Sequence, residues 1–196
     1  MDNLLDAPQP ILLSFLKSSI IGRNLKLNWA TASENNNSGF DVERKIISDN
    51  WVNIGFVQGK GNSVTTTSYS YEDKNLQTGK YKYRLKQIDN NGNFEYFELN
   101  GDVEIGIPKK FDLSQNYPNP FNPTTKINFD LPVDAKVSLV VYDITGREVA
   151  KLLNNEFRPA GYHTTEFNAS KFSSGVYFYS LSTNNFRMTK KMILTK

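Results

Sequence analysis

Residues 116–125 hold three prolines and three asparagines in ten positions, and this stretch restricts the fold of the chain more than any other. Proline fixes φ, lacks a backbone donor and keeps the residue before it out of the α region. The stretch is therefore predicted to be neither helix nor central strand. Because Tyr117 and Phe121 supply apolar anchors within it, we expect an ordered, kinked and extended entry to a folded unit.

Strand formers dominate the rest of the chain. Ten Tyr and thirteen Phe are spread over 196 residues, and no amphipathic helical period is sustained. This pattern predicts an all-β protein, and the short intervals between the predicted strands indicate β-sandwiches. The chain is long enough for two small domains that each bury a core. Because it contains no cysteine, disulfides, thiol nucleophiles and thiolate metal sites are excluded.

Charge and composition place a domain boundary near residue 108. Residues 1–108 hold 11 Lys and Arg against 13 Asp and Glu, a net of −2, whereas residues 109–196 hold 12 against 7, a net of +5. Glycine, proline and two lysines interrupt the strand pattern at residues 106–110. We therefore predict an N-terminal tail at residues 1–10, a first sandwich at 11–106, a linker at 107–115 and a second sandwich at 116–196.

The excess of cations in the second half does not indicate nucleic-acid binding. These cations are spread along predicted strands, without a basic helix or a nucleic-acid motif. The longest apolar run, residues 11–21, is interrupted by Lys17 and is too short to span a bilayer. It also lacks the layout of a signal peptide, because Asp2 and Asp6 precede it and no cation does. We expect neither a nucleic-acid partner nor a membrane-spanning segment.

The first predicted sandwich has seven short strands between residues 11 and 105. Leu25, Leu27 and Trp29 alternate with polar residues, which places Trp29 on an inner face. The asparagine-rich residues 34–39 predict a loop, and residues 89–93 predict the turn of a hairpin.

Four motifs follow one another in the second half, at residues 113–123, 141–149, 175–179 and 190–192. Together they resemble the type A C-terminal sorting domain of the type IX secretion system, over residues from about 110 to 196. Four motifs in this order are far more specific than any one of them. The positions that carry the resemblance, and that we assign to the sorting signal, are Tyr117, Pro118, Asn119, Pro120, Phe121, Asn122, Tyr142, Asp143, Gly146, Arg147, Gly175, Val176, Tyr177, Lys190, Lys191 and Met192.

The resemblance implies a secretion signal that folds as a β-sandwich. Its expected partners are the outer-membrane type IX translocon and a sortase-like peptidase that removes the domain after export through the periplasm. The cargo is then released or joined to surface lipopolysaccharide. In this scheme the chain is a secreted or cell-surface protein and a substrate of the machinery, not an enzyme. Since substrates of this system first cross the inner membrane, the sequence is expected to be the tail of a longer protein. The alternative is a wrongly assigned start of the sequence.

The first half resembles a fibronectin type III domain. Residues 25–29 and 39–44 are similar to its B and C strands, and residues 76–81 to its tyrosine corner. The corner is one residue shorter than usual, so either Tyr81 or Tyr83 makes the corner bond. The resemblance implies two tandem immunoglobulin-like sandwiches, the first acting as a spacer. The alternative is a carbohydrate- or protein-binding module that uses exposed Trp51, Phe56, Tyr69 and Tyr96.

Residues that could carry chemistry are sparse. His163, the single histidine, lies in a polar run without a triad context, and we expect it to face solvent. Asp89, Asn91, Asn93 and Glu95 could gather oxygen ligands for Ca²⁺, but a hairpin explains them better. We predict no catalytic residue, cofactor or metal.

The lysines of the last predicted strand have two interpretations. Lys190 and Lys191 could keep an edge strand soluble and unpaired. Alternatively, a partner could bind this strand through strand addition, which the resemblance favours.

Overall fold

The computed structural model describes residues 11–196, so the predicted tail at residues 1–10 lies outside the described residues. The described residues form fourteen β-strands and no helix, which confirms the all-β prediction. No helix that could cross a membrane occurs in this part of the chain. The strands belong to two compact units, and the division between the units falls between Ile105 and Gly106.

The first unit contains seven strands, which are β1 (Leu12–Ile21), β2 (Asn24–Ile46), β3 (Val52–Ser63), β4 (Thr67–Asp73), β5 (Gly79–Asp89), β6 (Phe94–Glu98) and β7 (Val103–Ile105). The long strand β2 takes part in two antiparallel sheets. Its first half pairs with β1 and β4, and its second half pairs with β3 and β5. Strands β6 and β7 both pair with β5.

Trp29 is the centre of the first unit's core, as its alternation predicted. Its side chain is 0 % exposed. The ring stacks on Tyr69 with centroids 5.6 Å apart and meets Phe40 edge-on at 5.5 Å. Such aromatic contacts add to the free energy gained from burial alone.

The predicted loop at residues 34–39 is wrong, because β2 runs through it without a break. Glu34 and Asn37 are buried at this point, with 5 % and 1 % exposure. The Glu34 carboxylate accepts hydrogen bonds from Thr31 Oγ1 at 2.7 Å, Asn37 Nδ2 at 2.9 Å and Tyr69 Oη at 2.6 Å. Composition suggested a turn, but these buried polar contacts stabilise an irregular strand instead.

Tyr81 makes the corner bond of the first unit. Its hydroxyl donates to the carbonyl oxygen of Gln77 at 2.8 Å. Tyr83 has a different role, since its hydroxyl donates to Asp73 Oδ2 at 2.8 Å, and Arg44 Nη1 binds the same oxygen at 2.7 Å. The tyrosine-corner hydrogen bond is therefore made by Tyr81 and not by Tyr83.

The second unit also contains seven strands, which are β8 (Asp112–Leu113), β9 (Thr124–Leu131), β10 (Ala135–Tyr142), β11 (Glu148–Arg158), β12 (Gly161–Asn168), β13 (Gly175–Ser182) and β14 (Arg187–Leu194). One sheet has the order β11-β10-β13-β14 and the other the order β12-β9-β8. A single apolar core includes residues from both sheets.

Part of the segment predicted as a linker is folded. Strand β8 lies within residues 107–115, and Leu113 is fully buried in the core of the second unit. The ladder partner of Leu113 is Phe129 on β9. Because Leu113 contributes to this core, the residues of β8 belong to the folded second unit.

Candidate functional site

The proline-rich stretch is an ordered entry, as predicted, and Asn116 holds it in place. Asn116 is 2 % exposed, and its backbone N–H donates to Tyr179 Oη at 2.8 Å. Its side-chain Nδ2 donates to the Pro118 carbonyl and to Thr125 Oγ1, both at 3.0 Å. The peptide bonds that precede Pro118 and Pro120 are both cis. The kinked backbone thus finds its hydrogen-bond partners inside the fold.

Tyr179 on β13 is the partner of this entry in the core. Its side chain is fully buried, and its hydroxyl donates to the Ser114 carbonyl at 2.7 Å while it accepts from Asn116. Burial raises the pKa of the Tyr179 phenol to about 12, although the bond from Asn116 opposes this shift. The assignment of site residues from the sequence missed Asn116, Thr125 and Tyr179. The alternation along residues 175–181 was the signal that could have placed Tyr179 inward.

Residues 119–121 lie beside the last strand. Asn119 Oδ1 accepts the Ile193 N–H at 2.9 Å, and the Phe121 N–H donates to the Ile193 carbonyl at 3.0 Å. The Thr195 N–H then donates to the Phe121 carbonyl at 3.0 Å. Phe121 itself is buried and forms a parallel bridge with Leu194. The entry stretch therefore acts as an additional short strand on the outer edge of β14.

The contact of residues 119–121 with β14 limits how a partner could add a strand to this edge. The edge of β14 is occupied around Ile193, and the Lys191 carbonyl accepts a bond from Gln115 Nε2 at 2.7 Å. Met192 and Leu194 are core residues with 0 % and 1 % exposure. A partner that pairs with this edge over its whole length would have to displace residues 115–121.

Tyr117 is not the apolar anchor that the sequence predicted. Its side chain is 80 % exposed, whereas Phe121 is buried. The backbone explains the difference, because the Tyr117 N–H and carbonyl both pair with Lys126, leaving the side chain on the surface. Pro118, Asn119, Pro120 and Asn122 are also exposed.

The Asp143 side chain organises the turn between β10 and β11. Its Oδ1 accepts from Thr145 Oγ1 at 2.6 Å, from Thr145 N at 2.9 Å and from Arg147 N at 3.1 Å. These bonds, that of the Thr145 hydroxyl first, lower the pKa of the Asp143 carboxyl below its ordinary value. Gly146 has φ +80°, a conformation that favours glycine. The turn leaves Ile144 and Arg147 exposed.

Residues 175–177 begin β13. Gly175 is exposed, and Val176 and Tyr177 are half-buried. The Tyr177 hydroxyl donates to the Ser173 carbonyl at 2.8 Å, which repeats the four-residue spacing of Tyr81 and Gln77 in the first unit. The Tyr177 ring meets Phe172 edge-on at 6.1 Å.

All four motifs meet at one end of the four-stranded sheet. Tyr142, which precedes the Asp143 turn, lies opposite Phe178 on β13, and Phe178 lies opposite Lys191 on β14. Beyond β14, Phe121 lies beside Leu194. The sequence identified these motifs but not their adjacency. We call this end of the sheet, with the four motifs side by side, the motif end.

Tyr69 does not belong to an exposed aromatic surface, so this part of the binding-module alternative is wrong. It packs on Trp29 in the core, because its hydroxyl reaches the buried Glu34 carboxylate. Phe56 and Tyr96 are 48 % and 41 % exposed.

Trp51 is half-buried and in contact with a cation. The Arg84 guanidinium lies over the Trp51 ring at 4.3 Å and over the Tyr96 ring at 3.8 Å. Arg84 also pairs with Glu43 at 2.6 Å. This arrangement occupies ring surface that a sugar would need for stacking.

The remaining candidate residues have structural contacts. His163 is half-buried and stacks on Phe129 with centroids 5.1 Å apart, so the prediction that it faces solvent is wrong. The reason is that His163 lies directly opposite the core residue Phe129 on β9, on the same face of the sheet.

Residues 89–93 form the predicted hairpin between β5 and β6, closed by the bond from Gly92 N to the Asp89 carbonyl at 2.9 Å. Among the described residues, no group of three or more acidic, histidine or cysteine side chains could hold a metal ion.

Two solved structures show a distant similarity to the chain. Dimeric latent PorU from Porphyromonas gingivalis is 17 % identical with a TM-score of 0.38, over 100 % of this chain and 21 % of that chain. The FN1–FN3 domains of chicken CNTN1 are 15 % identical with a TM-score of 0.35, over 97 % of this chain and 69 % of that chain. The chain thus spans about a fifth of the length of the PorU chain. No curated protein matches the sequence significantly.

A protein family does match the second unit. Residues 115–195 match the family described as secretion system C-terminal sorting domain. The match begins one residue before the proline-rich stretch and includes residues 115–123 of the first motif and the whole of the other three. The chain therefore carries a type IX secretion C-terminal sorting domain, which marks it for export to the cell surface or into the medium.

Proposed function

We propose that the second unit is recognised by the export machinery as a folded object, at the motif end. The observation that supports this is the adjacency of the four motifs along Tyr142, Phe178, Lys191 and Leu194. A linear signal would not need motifs far apart in sequence to be neighbours in space. In this proposal the partners are the outer-membrane translocon and the sortase-like peptidase.

In this proposal the chain is the substrate of the translocon and of the peptidase. The unit docks at the translocon and accompanies its cargo across the outer membrane, and the peptidase then cleaves the cargo from it. The cargo is released or joined to surface lipopolysaccharide. Two side chains of the second unit that could carry chemistry have structural contacts instead, because His163 is stacked on Phe129 and the Asp143 carboxylate accepts the hydrogen bonds of its turn.

The first unit is proposed to be a spacer between the sorting domain and its cargo. The contact of Trp51 with Arg84 and the burial of Trp29 beside Tyr69 are typical of a self-contained sandwich. The alternative, a binding module for carbohydrate or protein, retains only the exposed Phe56 and Tyr96 of its four aromatic residues.

The test compares residues 1–196 with residues 1–105, each preceded by a periplasmic targeting signal, in a bacterium with a type IX secretion system. We expect the long chain to reach the medium or cell surface and the short chain to remain folded in the periplasm. Retention of both chains in the periplasm would contradict the proposal. To test the spacer role, an unrelated sandwich of similar length would replace the first unit, and export should continue.

A further inference from the structure

The outer face of the four-stranded sheet is polar at one end and largely apolar at the other. At the end far from the motifs, its outward positions are Ser138, Ser182 and Arg187, which lie in one row across the sheet. At the motif end, the corresponding positions are Tyr142, Phe178 and Lys191. Outward positions of an antiparallel sheet are normally polar, so apolar side chains at one end are unusual.

Four half-buried apolar side chains share the motif end of this outward face, and Val140, which is opposite Ser180 and 8 % exposed, lies next to them in the middle of the face. Residues directly opposite each other on antiparallel strands point to the same side, so Tyr142 shares a side with Phe178, and Val176 with Ile193. All four are half-buried and none belongs to the core or to the residues packed against it. By contrast, the adjacent residues Val141, Tyr179, Met192 and Leu194 belong to the core, and Tyr177 packs against it. We call Tyr142, Val176, Phe178 and Ile193 the outer patch.

Positive charge borders the outer patch. Lys191 lies opposite Phe178, and its side chain is exposed with no ion pair among the described residues. Arg147 in the adjacent turn is 79 % exposed at its side chain, although it also contacts Asp143 at 3.1 Å. The carboxylate next to Tyr142, that of Glu148, is already paired with Lys151 at 3.4 Å. A partner would therefore meet an apolar surface with a cationic rim.

We propose that the outer patch is the docking face for a protein of the export machinery, which presents an apolar groove bordered by carboxylates. This inference rests on the proposed sorting function and specifies the surface that carries it. Aromatic and aliphatic side chains within a charged rim are the usual composition of a protein interface. A phosphate-rich ligand such as lipopolysaccharide would instead require clustered free cations. Beside the patch, Lys151 is paired with Glu148 and Arg147 with Asp143, and Lys191 has no ion pair among the described residues. The occupied edge of β14 also favours contact through the face over strand addition.

The test uses residues 1–196 with two patch variants, Phe178→Ser and Lys191→Glu, and two matched controls. Phe157→Ser and Lys136→Glu alter an exposed aromatic residue and a lysine that lie opposite each other at the far end of the sheet. We expect Phe178→Ser to reduce the exported fraction by about tenfold, as for a central interface residue, Lys191→Glu to reduce it by more than about twofold, and each control to stay within about twofold. Circular dichroism of the periplasmic protein checks that every variant is folded.

A second measurement covers the case in which Phe178→Ser does not fold. A photo-crosslinking residue replaces the exposed Lys191 or, as the control, Lys136. We expect position 191 alone to crosslink to a protein component of the secretion machinery, identified by mass spectrometry. Crosslinking to lipopolysaccharide, or equally from both positions, would overturn the inference.

The outcomes separate this inference from the sorting proposal. If the unaltered chain is not exported, the sorting proposal fails. If the unaltered chain is exported and the folded patch variants are exported equally well, only the docking face is wrong.

Discussion

The backbone N–H of Asn116 donates to the phenol oxygen of Tyr179 over 2.8 Å, across a sequence separation of 63 residues. The same phenol donates to the Ser114 carbonyl at 2.7 Å. One buried hydroxyl therefore fastens the proline-rich entry to the centre of the four-stranded sheet. Because residues 119–121 continue from this point to the edge of β14, the bond also positions the contact with the last strand.

Replacing Tyr179 with phenylalanine should destabilise the second unit by about 1–3 kcal/mol, because it leaves a buried N–H without its partner. Both tryptophans of the chain, Trp29 and Trp51, belong to the first unit. Tryptophan fluorescence should therefore show an unchanged denaturation midpoint, while circular dichroism shows an earlier transition. The control Tyr177→Phe removes an exposed bond and should cost less than about 1 kcal/mol. Equal losses in both variants would contradict this account of Tyr179.

Strand pattern and motif order could be predicted from the sequence because both are local properties. Trp29 faces inward as its alternation with Lys26 and Asn28 indicated. The contact between Phe121 and Leu194 could not be predicted, since it joins residues that are distant in sequence and have no shared pattern. For the same reason the sequence identified the sorting motifs without indicating that they are adjacent.

The failures of prediction also have physical causes. The asparagine-rich residues 34–39 read as a turn by composition, yet the Glu34 carboxylate gathers buried donors that hold them as strand. Tyr117 is apolar enough to anchor the entry, but its backbone pairing with Lys126 leaves the ring outside. Local composition does not determine which polar groups find partners after folding.

Trp29→Ala should destabilise the first unit by about 3–5 kcal/mol, the usual cost of removing a buried aromatic side chain. The half-buried Trp51 provides the matched control, and Trp51→Ala should cost clearly less. Urea denaturation followed by circular dichroism measures both. A loss below about 1 kcal/mol for Trp29→Ala would show that this side chain is not a core residue.

The buried Glu34 should give the first unit an acid-sensitive stability. Burial raises the pKa of the Glu34 carboxyl, but its hydrogen bonds, that of Tyr69 first, outweigh burial and lower the pKa below its ordinary value of 4.5. A carboxyl with a lowered pKa in the folded state stabilises the fold above its unfolded pKa, and this stability is lost as the pH falls. The free energy of unfolding should therefore decrease below about pH 4.5.

Glu34→Gln tests this pH dependence. The variant should be less stable than the unaltered chain at pH 7 and should lose less stability on acidification, measured by tryptophan fluorescence during urea denaturation. Glu104→Gln is the control, because the Glu104 side chain is 68 % exposed. If the free energy of unfolding falls equally on acidification in Glu34→Gln and in the unaltered chain, the pH dependence belongs to other carboxyls.

We predict that the chain between Ile105 and Phe111 is the most accessible to proteases, because the division between the two units falls there. Lys109 and Lys110 are exposed and provide trypsin sites. Limited trypsin digestion should release two stable fragments, and Lys109→Gln with Lys110→Gln should slow this first cleavage. Mass spectrometry identifies the cut, and early cleavage after Lys136, inside strand β10, would contradict two independently folded units.

The central claim is that the folded second unit contains the complete export signal. The most direct measurement is the exported fraction of a periplasm-directed fluorescent reporter fused to residues 106–196, in a bacterium with a type IX secretion system. The account predicts that this fusion reaches the medium or the cell surface while the reporter alone remains in the periplasm. An intact, folded fusion that stays in the periplasm with the reporter alone would contradict the claim.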